Sequence, residues 1–500
     1  MQLTPSARMQ ALFVVLSFAS TLIFSSGCQR GYRQTVNSAT KACAVGDYAQ
    51  ASAVTTEAAQ KNDKDEADRV AYLLEAGRCT QLNDQLAESD AAFGAASEAV
   101  RPYLDTAAES KVTEAFATTA VNQTISIYRA TNPERTMLET MLAMNAMIRG
   151  DRDAARLSLN RAYDWQQNAV QLNAKEIEKR EGEIAKSKKS AEEKSAEAGS
   201  SSGIQTRTEF SNLDSMAAYA DYADPFATYL RALFLATEPD ADDQENAAFA
   251  FKRVASLHGG DKFVQTQVQG DLAVLKERQS TGTPPPHTWI VLLDGMAAHR
   301  EEFSVGIAAF PYMVQSESVV NTPEFFWQDK AYPMVLISDV DRMVLGDFKQ
   351  KLPLIIMQEL LSTALKTAAT YALSQSGGDN GSFGLLAGLM YQTVTTAADL
   401  RGWHTMPKRI FVGRMETPLD GVVALSDGAT ALATARVQPR STSVVFVDVP
   451  GKGAAPAVKV SLLVPARPTL VIDATVTVPV ASELAPAELN TELVPENAPL

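Results

Sequence analysis

The sequence predicts an α+β multidomain protein, in which an N-terminal α-helical solenoid is followed by a β-rich C-terminal domain with two inserted helices. Three observations carry this reading. Residues 31 to about 280 are rich in Ala, Glu, Leu and Gln and poor in Pro, with apolar positions recurring at three and four. Thr281 to Pro286 (TGTPPP) forbids helix through its three prolines. Beyond it come short β-branched runs punctuated by Gly, Pro and Asp. A chain of 500 residues also exceeds what one core usually organises, so two or three domains are expected.

Residues 1–27 read as an export signal and not as fold. Arg8 supplies a positive flank, Ala11 to Phe24 is an apolar run, and Ser25, Ser26 and Gly27 are small residues ahead of Cys28. That order is the order of a secretory signal. The apolar run falls short of the roughly 20 residues a bilayer span needs. A cysteine directly after Gly resembles the bacterial lipoprotein signal, which implies acylation of Cys28 as the mature N-terminus. Ser25 departs from the usual Leu of that signal, and plain secretion or an uncleaved anchor are the alternatives. Gln29 in place of Asp implies the outer membrane, with the body facing the periplasm.

Helical hairpins follow. Gly46-Asp47-Tyr48 with Ala51 and Ala58 has the turn, aromatic and small residues of a tetratricopeptide (TPR) repeat. A second candidate spans Tyr72 to Val100, with Gly77, Ser89, Phe93 and Ala96 at its marker positions. The third runs from Met137 through Gly150-Asp151 to Ala162, and a weaker fourth from Pro225 to Ala255. Such hairpins cannot bury their apolar faces alone, so 28–280 is expected to stack as a TPR-like solenoid. In this phase Cys43 and Cys79 fall on adjacent first helices. A Cys43–Cys79 disulfide is then geometrically open, the alternative being two small buried thiols. Asn173 to Gly203 changes to a charged extension of the helix carrying Trp165, ending in a Gly/Ser loop. It reads as solvated, with a coiled-coil arm for a partner as the alternative.

In residues 281–478, strands are predicted at His287–Leu293, Met334–Ile337, Val422–Leu425, Ser443–Val449, Val458–Val464 and Leu470–Val478. Two apolar helices, Pro353–Leu373 and about Leu385–Ala398, are expected to bury against the sheet, with shallow membrane insertion as the alternative. Residues 479–500 read as a disordered tail.

Chemistry-bearing motifs are sparse. The net charge of −14 argues against nucleic acid as a partner. His258, His287, His299 and His404 show no metal-ligand spacing, no CxxC exists, and no nucleophile or phosphate-binding motif is present. No cofactor is therefore expected. Asp339 and Asp341 end an apolar strand and are expected to cap the next helix, a cation site being the alternative.

Taken in order, several stretches give a wider resemblance. They are Cys28, MLETMLAMNAMIRGDRDAARLSLNRAYDWQ, DPFATYLRALFLA, DGMAAHREE, SDVDRMVLGDFKQKLPLIIMQELL and ADLRGWHTMPKRIFVGRM. The chain resembles an uncharacterised family of bacterial tetratricopeptide-type envelope lipoproteins. The resemblance implies a membrane-tethered protein, with some members encoded beside lipoproteins that activate peptidoglycan synthases, and it carries over no catalytic residues. The expected function is a non-catalytic scaffold that binds an envelope protein or peptide through its repeats. Two alternatives stand beside it. One is a hydrolase of cell-wall or lipid material using Asp294, His299, Glu301 and Asp341; the other is a structural subunit of an envelope assembly.

Overall fold

The computed structural model describes residues 31–103, 127–193, 204, 207–214, 219, 223–376 and 398–466. The signal with Cys28, the loop 199–203, the second apolar helix apart from Ala398, the strand 470–478 and the tail 479–500 lie outside the described residues.

Helices come as hairpins because the same turn is built three times. Helix α1 (31–44) turns into α2 (Tyr48–Lys61), α3 (Arg69–Leu82) into α4 (Leu86–Val100), and α5 (Asn132–Arg149) into α6 (Arg152–Glu193). At each turn one residue takes a left-handed backbone: Gly46 at φ +79°, Asp84 at +60° and Gly150 at +75°. Its N–H bonds three residues back, to the carbonyls of Cys43, Gln81 and Met147 respectively. The next N–H, of Asp47, Gln85 or Asp151, bonds five back. This double bond satisfies the orphan carbonyls of a helix end in the Schellman manner. Asp47 and Asp151 then restart the chain by accepting from Gln50 N and Ala154 N. A fourth hairpin, α7 (Pro225–Ala236) with α8 (Ala241–Leu257), and a further helix α9 (Lys262–Thr281) complete the helical layer. Glycine is required inside the second hairpin as well. A β-carbon on Gly77 would meet the Phe93 ring at 2.4 Å, so the ring can lie directly on the α3 backbone.

The change from helix to strand falls where the prolines predict it, between Thr281 and His287. Two sheets follow. The first has the order β11 (Ala457–Val464), β10 (Thr442–Val449), β1 (His287–Asp294), β7 (Arg409–Glu416) and β6 (Val335–Asp339). Its β1–β10 pair is parallel and the other pairs are antiparallel. The second has the order β5 (Lys330–Pro333), β4 (Pro323–Trp327), β8 (Val422–Asp427) and β9 (Thr430–Arg436). A separate hairpin joins β2 (His299–Val305) to β3 (Ala308–Val314).

Alternation along β1 shows how the layers stack. Trp289, Val291 and Leu293 join one core with Leu74, Met137, Met141 and Phe234 of the helices. Ile290 and Leu292 join the opposite core, with Phe325, Val423 and Leu425 of the second sheet. Side chains on a strand alternate faces, so an uninterrupted apolar run marks a strand covered on both sides. The order of layers is helices, five-stranded sheet, four-stranded sheet. The helical half and the strand-rich half thus share a hydrophobic core.

Two expectations change. The helix expected over Pro353–Leu373 to bury on the sheet is the later part of a longer helix, α10 (Val340–Ser376), with Pro353 inside it, and one side of α10 packs the β2–β3 hairpin instead, with Leu345, Phe348, Leu352 and Ile356 against Phe310 and Met313. Another side of α10, from Gln350 to Leu361, meets the charged extension of α6, which is therefore not simply solvated. Asn173 donates to Gln350 at 2.5 Å, Lys351 pairs with Glu176 at 2.8 Å, and Arg180 donates to Gln358 at 3.1 Å. Ile184 and Leu361 are buried in one cluster. Partners climb together along both helices, so the two run parallel, with polar side chains meeting polar ones and Ile184 meeting Leu361.

Candidate functional site

Helix α3 is buried at every position from Val70 to Leu82. Polar side chains of α1, α3 and α5 reach toward one irregular segment, Ala398 to Lys408, between α10 and β7. From α1 the Tyr32 hydroxyl donates to the Gly402 carbonyl. From α3 Glu75 accepts from His404 N at 2.7 Å, Thr405 N at 3.3 Å and the Thr405 hydroxyl at 2.6 Å. From α5 Glu134 accepts from Trp403 N at 2.8 Å, while its other oxygen completes a capping box with Thr131. Three hairpins thus bond neighbouring backbone groups of one strip of chain. Trp403 packs its ring edge on Phe93, with centroids 5.5 Å apart.

Charge closes both ends of the strip. Arg401 is buried and bonds Asp399 at 2.8 Å, Asp68 at 2.9 Å and the Ala67 carbonyl at 3.0 Å. Arg78, also buried, pairs with Asp448 of β10 at 2.6 Å and donates to the Thr405 carbonyl at 3.3 Å. Burial raises Glu75 to about 7 against the pull of its three hydrogen bonds, and the neighbouring Glu134 adds to the rise. Burial and the adjacent His299 push His404 down to about 3, so it is neutral. Burial lowers His299 as well, so its 3.7 Å approach to Glu301 is a contact of a neutral ring with a carboxylate at neutral pH.

The four residues considered for hydrolysis are placed as follows. Asp294 ends β1 and Asp341 lies in the first turn of α10, and both are fully buried. Asp294 accepts from Val319 N at 3.1 Å, Val320 N at 2.9 Å and Arg409 at 2.5 Å. Asp341 accepts from Ala298 N at 2.7 Å, Gln315 at 3.1 Å and Lys408 at 2.5 Å. Both carboxylates are thus engaged by backbone and side-chain donors. Glu301 accepts from the Tyr312 hydroxyl at 3.0 Å across the β2–β3 hairpin. His299 stands beside His404, with ring centroids 5.1 Å apart. Asp339 takes the N-cap position of α10 as expected, its carboxylate held by Arg342 N, whereas Asp341 does not cap. Among the described residues no group of three His, Cys, Asp or Glu side chains could hold a metal ion.

Cys43 and Cys79 are free thiols, fully buried, with Sγ atoms 3.9 Å apart. Lipidation at Cys28 falls outside the described residues. A pocket between α8, α9 and β1 has room for about one water. The acid on its wall, Asp271, is engaged by Trp289 Nε1 at 2.9 Å, Tyr229 at 2.8 Å and Arg414 at 3.1 Å. Sequence reasoning missed Tyr32, Glu75, Glu134 and the strip they hold. The only local signal was polar residues on helix faces that the apolar spacing assigned to the core. No protein-family model, curated protein or solved structure matches this chain, so its site is read from its own geometry.

Proposed function

We propose that this chain is an envelope lipoprotein, tethered through Cys28, whose TPR-like hairpins form a non-catalytic protein-binding scaffold. One observation supports the scaffold reading above the rest. Tyr32, Glu75 and Glu134, from three successive hairpins, hold the backbone groups of residues 402–405, which is how stacked hairpins grip a peptide. That gripping surface is occupied by the chain itself, so a partner protein meets the outer helices. There Leu157 and Val170 of α6, Phe249 of α8 and Phe263 of α9 stand exposed. Large apolar side chains at these sites are the kind that anchor an interface.

Two measurements test the two halves of the proposal. Intact mass of the mature protein from a membrane fraction is expected to give a chain beginning at an acylated Cys28. A chain retaining residues 1–27, or one without lipid, removes the tether. Crosslinking in envelopes is expected to recover a protein partner that the double variant Phe249→Glu, Phe263→Glu loses at unchanged thermal stability. An unchanged partner set removes this face from the proposal.

A further inference from the structure

The thiols of Cys43 and Cys79 share a sealed chamber lined by Ala39, Ala42, Ala51 and Leu82, with Tyr48 and Ala457 against it. Cys43 ends α1 one turn before Gly46, and Cys79 lies on α3, so the two sulfurs join the first hairpin to the second. Their Sγ atoms are 3.9 Å apart, in van der Waals contact, with no other side chain between them. A bond requires about 2.05 Å, so the two sulfurs must close by about 2 Å to join.

From this placement we infer that Cys43 and Cys79 are a disulfide-forming pair, bonded when the chain folds in contact with a disulfide oxidant. The reaction is thiol–disulfide exchange: one cysteine thiolate attacks an external disulfide such as glutathione disulfide and releases one glutathione thiol. The second cysteine, as thiolate, then displaces the other glutathione. One S–S bond forms in the protein, both cysteine protons pass to solvent or the leaving thiolates, and the oxidant's disulfide becomes two thiols. Both sulfurs are fully buried once the hairpins have stacked, so the exchange occurs during folding and the product is sheltered afterwards. The contact with the Cys43 sulfur, and then burial, raise the Cys79 thiol well above its ordinary value, which suits a structural pair and not a catalytic one. Use of the bond in the cell rests on the envelope reading, because an oxidising compartment must supply the oxidant.

The test uses the full chain with Cys28→Ala, which leaves Cys43 and Cys79 as its two cysteines. It is refolded either with a glutathione disulfide and glutathione mixture or with reductant, then denatured, and its thiols are counted. Two thiols are expected after reductive folding and none after oxidative folding. The oxidised protein should weigh two hydrogens less and yield one crosslinked peptide pair containing positions 43 and 79. Its thermal midpoint should lie several degrees above that of the reduced form, a shift absent from the Cys43→Ala and Cys79→Ala variants. Two free thiols after oxidative folding, or glutathione carried on either cysteine, overturns the pairing. Neither result depends on where the protein resides; thiol trapping in intact cells addresses the compartment separately.

Discussion

Arg78 of α3 and Asp448 of β10 form an ion pair at 2.6 Å in the boundary between the helical layer and the five-stranded sheet, with the arginine side chain 1% exposed. The same guanidinium donates to the Gln81 side chain at 2.7 Å and to the Thr405 carbonyl, so helix α3, strand β10 and the strip at 398–408 meet at one group.

Removing one partner of such a pair leaves the other buried and uncompensated. Arg78→Met is therefore expected to cost about 3–5 kcal/mol in urea unfolding. The double change Arg78→Met, Asp448→Leu should recover part of that loss. A single variant as stable as the parent removes the pair from the account of stability.

Protonation of Glu75 gives a signed pH dependence. Its folded value of about 7 lies above the ordinary 4.5, so between these limits the folded chain holds a proton that the unfolded chain has lost. Stability from this group is greatest at low pH and falls as pH rises through that window, by about 3 kcal/mol. His404 acts oppositely: lowered from 6.5 to about 3, it favours the folded chain as pH rises through that range. Glu75→Gln should remove the first effect alone. Relative to the variant, the parent is expected to lose about 2.5 kcal/mol between pH 5 and pH 8 in chemical denaturation; parallel profiles exclude the titration.

Two helical glycines separate packing from propensity. Gly77→Ala pushes a β-carbon to 2.4 Å from the Phe93 ring, a clash expected to outweigh a propensity gain of about 1 kcal/mol and to lower stability by about 1–3 kcal/mol. Gly94, on α4, has nothing within 4 Å of its added β-carbon, and Gly94→Ala should raise stability by about 0.5–1 kcal/mol. Urea midpoints moving in the same direction contradict this assignment.

Lys351 holds α10 to α6 from a site 4% exposed, bonding Glu176 at 2.8 Å and Asp347 at 2.9 Å. It keeps Glu176 well below the usual carboxylate range against the effect of burial. Lys351→Met leaves Asp347 buried without its cation and is expected to cost about 3 kcal/mol. Limited proteolysis should then cut within residues 173–193 faster than in the parent. Equal cleavage rates indicate that the apolar contacts, Ile184 with Leu361 among them, hold the helices unaided.

Local chemistry made much of the fold legible. Gly46 and Gly150 announced turns, TGTPPP announced the end of helix, and the unbroken apolar run after His287 became a strand covered on both faces. Other features were hidden for identifiable reasons. Asp84 occupies the left-handed turn position that its sister hairpins give to glycine, so the second turn carried no Gly signal. Strand β2, HREEFSV, has two polar-facing sides and no alternation to detect. The parallel run of α10 beside α6 joins residues far apart in sequence, and charge pattern alone suggested solvent for one and sheet for the other. The strip at 398–408 was unreadable for the same reason: its partners Tyr32, Glu75 and Glu134 lie more than 250 residues upstream.

The parallel pairing of β1 with β10 has a consequence for how the molecule is made. All the described helices except α10 leave the ribosome before the first strand, yet the strands that cover the greasy underside of α3 and α5 include the last two described. A chain stopped short of Thr442 lacks β10 and β11 and leaves β1 with an open, sticky edge. Closure of the five-stranded sheet therefore waits for nearly the whole polypeptide.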